Sequence, residues 1–137
     1  VGGVTAITAA FDAWSAVADI SFSLVADDGA AYDTATSSGD IRIGMHYFDG
    51  SGGTLAHAYF PPNNGFTIAG DMHFDISETW ETGFGGIGFD IFTVAAHEIG
   101  HAIGLGHTDI DDSLMEPYYS EAFSGLQADD IAGAQYL

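Results

Sequence analysis

An α+β domain, with helices laid on the face of a twisted sheet, is what three features of this chain predict. Apolar residues recur at helical spacing near the start and again in the last third. Short segments of alternating apolar character lie between those two regions. Glycine-rich and proline-bearing stretches separate the segments and mark loops rather than domain boundaries.

In "VTAITAAFDAWSAV", Val4, Ile7, Phe11, Trp14 and Val17 fall on one side of an amphipathic helix. "ISFSLVA" alternates through Ile20, Phe22 and Leu24, and "IRIGM" through Ile41, Ile43 and Met45, so both read as strands. The intervening "DDGAAYDTATSSGD" is a polar loop. "TLAHAYF" reads as a short strand stopped by Pro61 and Pro62, and "DMHFDI" as another. "GFGGIGF" is a glycine-rich loop. From Asp90 to Ile103 the pattern turns helical, with Phe92, Ala95, Ala96, Ile99 and Ile103 on one side and Asp90 as N-cap. A last helix spans 127–136, with Asp129 and Asp130 in the first turn, where the helix dipole favours them. The expected order is helix, strands in one sheet, helix, loop, helix.

The 137 residues suffice for one domain with its own core, and a hydrophobic share of 47% argues against disorder. Cysteine is absent, which excludes a disulfide framework and thiolate metal ligands. No apolar run reaches the ~18 residues of a membrane span, so membrane insertion is not expected. The chain opens on valine, as a processed or excised piece of a longer protein would. Twenty Asp and Glu stand against a single basic residue, Arg42, for a formal net charge of −19. Nothing in such a chain neutralises phosphates, so nucleic acid and anionic membranes are not expected partners. Most of these acids read as solubilising groups whose mutual repulsion is screened by salt, and some as calcium ligands.

The chemistry concentrates in "HEIGHAIGLGH", residues 97–107. On a helix His97 and His101 lie one turn apart on the same face, so both imidazoles can reach one ion. Neutral imidazole suits zinc, and a catalytic zinc site keeps three protein ligands and an open position. Glu98 adjoins the first ligand, where it can serve as general base. His107 cannot lie on the same face, so the helix must end first. Gly104 supplies the left-handed residue that turns the chain and brings His107 back. A bare H-E-x-x-H is a common chance match; the fixed glycine and third histidine make this constellation far more specific.

The stretch resembles the H-E-x-x-H-x-x-G-x-x-H signature of metzincin metalloproteases. Further on, "SLMEPYYS" resembles the methionine turn beneath the zinc in that clan, with Met115, eight residues after His107, as the methionine. The closest likeness is to matrixins, in a form read here as microbial. "FDGSGGTLAHAYFP", "GDMHFDISETW", "VAAHEIGHAIGLGH" and "LMEPYYS" follow matrixin order, and "LQADDIAGAQYL" resembles the closing helix. The resemblance covers nearly the whole chain and implies a zincin-like metzincin catalytic domain over residues 1–137. Its twisted mixed β-sheet would show four strands here, with three α-helices.

That resemblance implies a zinc endopeptidase acting on extended polypeptides, cutting ahead of large apolar residues. His97, His101 and His107 would hold the catalytic zinc and Glu98 would be the base. His57 and His73 would bind a structural zinc. Asp49, Asp75 and Glu78, with the carbonyls of Gly50, Gly52 and Thr54, would bind calcium. The substrate would lie as an added strand along "TLAHAY" at Ala56, its apolar side chain entering a pocket walled by Pro117, Tyr118 and Tyr119. Thr93 would set the depth of that pocket. The chain departs from the family in three places. The His-x-Asp pair before "FDG" is missing, so either His46 substitutes as third structural ligand or that zinc is weakened or lost. The family's first strand is not in view, so either it lies upstream or the sheet has been rebuilt; nor is there a cysteine-bearing inhibitory propeptide, as expected of a mature or excised catalytic domain. A monomer in a secreted, saline setting is expected. Two alternatives stay open: a metal-stabilised adhesion module without peptidase activity, and a serralysin-type metzincin.

Overall fold

The computed structural model describes residues 2–31, 34, 38–61 and 68–137. Part of the expected 27–40 loop, and Pro62, lie outside the described residues. Helix α1 spans Gly2–Ser15, strands β1, β2 and β3 span Ile43–His46, Ala56–Ala58 and Met72–Asp75, and helices α2 and α3 span Ile91–Ile103 and Ala128–Tyr136. Two further two-residue strands, β4 (Trp80–Glu81) and β5 (Phe89–Asp90), pair with each other in parallel.

The main sheet has the order β1-β3-β2, with β1 parallel and β2 antiparallel to the central β3. β3 is buried along its whole length, as a strand flanked on both edges and covered by helices must be. β2 is an edge strand, and its outer side faces the cleft described below.

Two expectations fail here. "ISFSLVA" is not a strand, and the strands do not form one sheet. Alternation supplies a face to bury but not a ladder partner, and β1 pairs only with β3. Phe22 instead packs edge-on against Phe11 of α1 at 4.7 Å, while Leu24 stands 99% exposed. The β4–β5 pair was unforeseen because two residues carry no readable period.

The core forms where α1 crosses α2. Ala10, Ala95, Ala96 and Ala102 are small enough for close approach, and Trp14 fills the space beside them. The buried Trp14 Nε1 donates to the Ala96 carbonyl at 2.9 Å, so the large ring enters the core without stranding its polar atom. Met72 and Phe74 of β3 and Ile99 of α2 complete this layer.

α2 begins and ends as its sequence predicts. The Asp90 carboxylate accepts from the Thr93 amide at 3.0 Å and from its hydroxyl at 2.7 Å, capping the first turn. At the other end Gly104 takes φ 118°, and its amide turns back to the carbonyls of Gly100 and His101. A side chain at that φ would be strained, which is why glycine ends this helix.

Candidate metal centre and active site

α2 presents His97 and His101 one turn apart, and the chain beyond Gly104 returns His107 to them. His107 Nε2 lies 3.2 Å from His97 Nε2 and 3.1 Å from His101 Nε2. Three nitrogens about 2.05 Å from one tetrahedral zinc would stand ~3.3 Å apart, so the spacing fits that ion. The opposite ring nitrogens are engaged. His97 Nδ1 meets the Leu114 carbonyl at 2.7 Å, and His101 Nδ1 meets the Leu105 carbonyl at 2.7 Å. A carbonyl can only accept, so each Nδ1 carries the proton and each Nε2 offers a lone pair. Burial, and then the neighbouring imidazoles, lower the pKa of His97 to about 4; burial and His107 lower that of His101. Both rings are therefore neutral donors at neutral pH.

Glu98 is only 5% exposed and lines the same cleft. Burial raises its pKa to about 8, and its Oε2 has no hydrogen-bond partner among the described residues. At that pKa the carboxyl keeps its proton at pH 7 in the metal-free protein; a cation held by the three histidines would favour the carboxylate, which could then accept a proton through its free oxygen.

Met115 packs closely against α2 between the positions of His97 and His101 because residue 100 is glycine. A Cβ at Gly100 would run into the Met115 sulfur and press on the Trp14 ring. The turn that carries Met115 is held from α3. Asp130 Oδ1 accepts from the Ser113 hydroxyl at 2.5 Å and the Met115 amide at 3.1 Å, and Oδ2 from the amides of Leu114 at 2.9 Å and Gln127 at 2.7 Å. Leu114 thus donates to Asp130 and accepts from His97, joining α3 to the His97 ring through one residue. Sequence reading gave Asp130 only a dipole role and missed Ser113 and Leu114.

The second histidine group follows from strand register. His57 lies opposite His73 across β2 and β3, and His46 projects from the same face of β1, two residues beyond the position paired with His73. His57 Nε2 and His73 Nδ1 are 3.0 Å apart. The ligand atoms of His46, His57 and His73 all lie within 4.8 Å of one another, as do those of the catalytic-site group. Burial and the neighbouring histidines hold His73 at about 4, and burial with His46 lowers His57.

Asp49, Asp75 and Glu78 bracket the 49–54 loop without forming a comparably close group. Each binds backbone instead: Thr54 donates to Asp49, the Asp49 amide to Asp75 at 3.3 Å, and the Gly52 amide to Glu78 at 2.7 Å. Burial alone would raise Asp75, but hydrogen bonds from Ser77 and the Asp49 amide hold its carboxyl below the usual range. Gly50 and Gly52 adopt φ of 99° and 83°, which lets the loop fold tightly around these acids.

A cleft of about 840 Å³ runs between β2, α2 and the 113–123 segment. Ala56, Thr93, Pro117, Tyr118 and Tyr119 all line it, together with Phe123 and Glu116, which sequence reading did not single out. The Tyr119 hydroxyl accepts from the Asp90 amide at 2.9 Å and donates to Glu121 at 3.0 Å, which fixes this wall to the start of α2. Thr93 turns its hydroxyl into the Asp90 cap, away from solvent.

Fold and site together define a metzincin-type domain with a three-histidine group suited to zinc. The matrixin family model matches residues 3–137, and the chain belongs to that family. It is 41% identical to karilysin of Tannerella forsythia over 133 residues, covering 91% of this chain and 26% of that protein. It is 44% identical to matrix metalloproteinase-18 of Xenopus laevis over 137 residues (97% of this chain, 28% of that protein). It is 42% identical to interstitial collagenase of Equus caballus over 135 residues (96% and 27%). The chain spans about a quarter of the length of these relatives. No helix among the described residues is long and apolar enough to cross a membrane.

Proposed function

We propose that this chain is the catalytic domain of a zinc-dependent endopeptidase that cleaves internal bonds of extended polypeptides. The observation that carries the reading is the buried Glu98 carboxyl beside three convergent Nε2 atoms in an open cleft. His97, His101 and His107 hold the zinc, which when bound supplies Lewis acidity toward the scissile carbonyl and toward water. Glu98 takes the proton of the attacking water and delivers it to the departing amine. The open edge of β2 at Ala56 pairs with the substrate backbone, holding the bond extended across the cleft. The pocket beyond it is walled by Pro117, Tyr118 and Tyr119, and Thr93 leaves room for a large apolar side chain on the leaving-amine side. Met115 seats the metal-binding rings from below.

His46, His57 and His73 hold a second, structural zinc. Asp49, Asp75 and Glu78, with the carbonyls of Gly50, Gly52 and Thr54, hold calcium; hard oxygen donors on one loop suit that ion. The domain acts as a monomer outside the cell within a longer protein. An adhesion module would have no need of a carboxyl held unpartnered beside an open metal site. The test compares the zinc- and calcium-loaded protein with E98A, mapping cuts in an unfolded protein by mass spectrometry. Cuts ahead of large apolar residues are expected, and their loss in E98A with zinc retained. Zinc bound without cutting by either form refutes the reading.

A further inference from the structure

Glu116 has no role in zinc binding, yet it lines the cleft. It closes the turn that begins at Ser113, its amide donating to the Ser113 carbonyl at 3.3 Å, and it is followed by Pro117. Backbone geometry therefore fixes where its side chain leaves the chain. The side chain is half-buried, and its carboxylate has no hydrogen-bond partner among the described residues. Tyr118, two residues on, lines the same cleft with 85% of its surface exposed. A carboxylate and an exposed aromatic face are the two groups that hold a cationic side chain, by ion pairing and by attraction to the ring quadrupole.

The electrostatics of the whole chain act in the same direction. No Lys or Arg lines the cleft. The only such residue in the sequence, Arg42, directs its guanidinium to the carbonyls of Ala30 at 2.7 Å and Thr34 at 3.0 Å. Against a net charge of −19, an acidic peptide approaches uphill and a basic one downhill.

We propose that Glu116 and Tyr118 form a subsite for a lysine or arginine side chain flanking the scissile bond, so that the preferred substrates are basic polypeptides. This rests on the peptidase reading above and adds a charge preference to the apolar pocket.

The test uses three peptides with one common apolar centre and flanking positions that are all Lys, all Gln or all Glu. Cleavage by the zinc- and calcium-loaded protein is measured at low salt and at ~0.5 M NaCl, for the native sequence, E116Q and D129N. Asp129 lies in the first turn of α3 and controls for loss of one charge elsewhere. Circular dichroism and zinc content establish that each variant is folded. The Lys peptide should exceed the Glu peptide in kcat/KM by at least ~10-fold at low salt. That ratio should shrink at high salt, fall severalfold in E116Q and hold in D129N. The affinity of E98A for the Lys and Glu peptides should differ in the same direction. Equal cleavage of Lys and Glu peptides, or an equal fall in E116Q and D129N, overturns the subsite while cleavage of the Gln peptide leaves the peptidase intact. Failure to cut even the Gln peptide with zinc bound removes both.

Discussion

Replacing Asp130 tests whether α3 controls the metal centre through the Met115 turn. Its carboxylate is 2% exposed and accepts four hydrogen bonds, three of them from backbone amides. In D130A the amides of Leu114 and Gln127 and the buried Ser113 hydroxyl lose their acceptor, while the Met115 amide retains the Ser113 oxygen at 3.2 Å. The two amides alone, at about 1–3 kcal/mol each, give an expected loss of at least ~2–6 kcal/mol, a large fraction of a typical domain stability. D130N is milder. With its NH₂ at the Oδ1 position it faces the Ser113 hydroxyl, which can accept, and keeps an oxygen for Leu114 and Gln127. Only charge assistance and one amide contact are lost, about 1–2 kcal/mol. The Leu114 peptide also orients His97, so zinc affinity should fall by ~10–100-fold in D130A, the range for groups that orient a metal ligand. Urea unfolding of the zinc- and calcium-loaded protein measures the first effect, and competition with a chromogenic chelator the second. A D130A protein within 1 kcal/mol of the parent that holds zinc equally well would refute the coupling.

Three further outcomes follow from other contacts. In metal-free protein, Glu98 is protonated to higher pH when folded than when unfolded, its pKa being about 8 against 4.5. Its favourable contribution is complete below pH 4.5 and lost as pH rises through 8, so E98Q should gain on the native sequence across that window. The gain approaches ~1.4 kcal/mol per pH unit, and parallel stability curves for the two proteins would contradict it. W14F removes the second donor to the Ala96 carbonyl, which keeps its helical bond from Gly100, and leaves a void where the fully buried indole stood; it should cost about 1–3 kcal/mol, read by denaturant midpoint. Added NaCl should raise the melting temperature, because one basic residue cannot offset twenty acids; a flat or falling response between ~20 and 500 mM would exclude self-repulsion as a significant cost.

What could be read from sequence was whatever repeats or caps locally. Asp90 and Gly104 bound α2 because a side-chain acceptor and a left-handed glycine act within a few residues of the helix they delimit. The spacing of Ile7, Phe11 and Trp14 marked the buried side of α1 for the same reason. "ISFSLVA" misled because a strand is completed by its neighbour, and alternation is silent about whether one is present. The β4–β5 pairing and the division into two ladders depend on the same non-local fact.

The site divides along that line too. His97, Glu98 and His101 share one helical turn, and Gly104 explains the return of His107, so this candidate group was legible as a unit. His46, His57 and His73 sit on three strands, and only the register of β1 and β2 against β3 brings their nitrogens together. Asp130 was harder still. A carboxylate in the first turn of a helix has a sufficient local explanation in the dipole, so nothing in the sequence asked for a second. The fold gives it one by docking α3 beneath the 113–115 turn, where the same two oxygens cap α3 through Gln127 and hold the peptide that orients His97. An acid that serves its own helix and the metal centre at once couples the last element of the chain to the chemistry of the cleft. For this reason truncation of α3 should impair zinc binding even though α3 contributes no ligand.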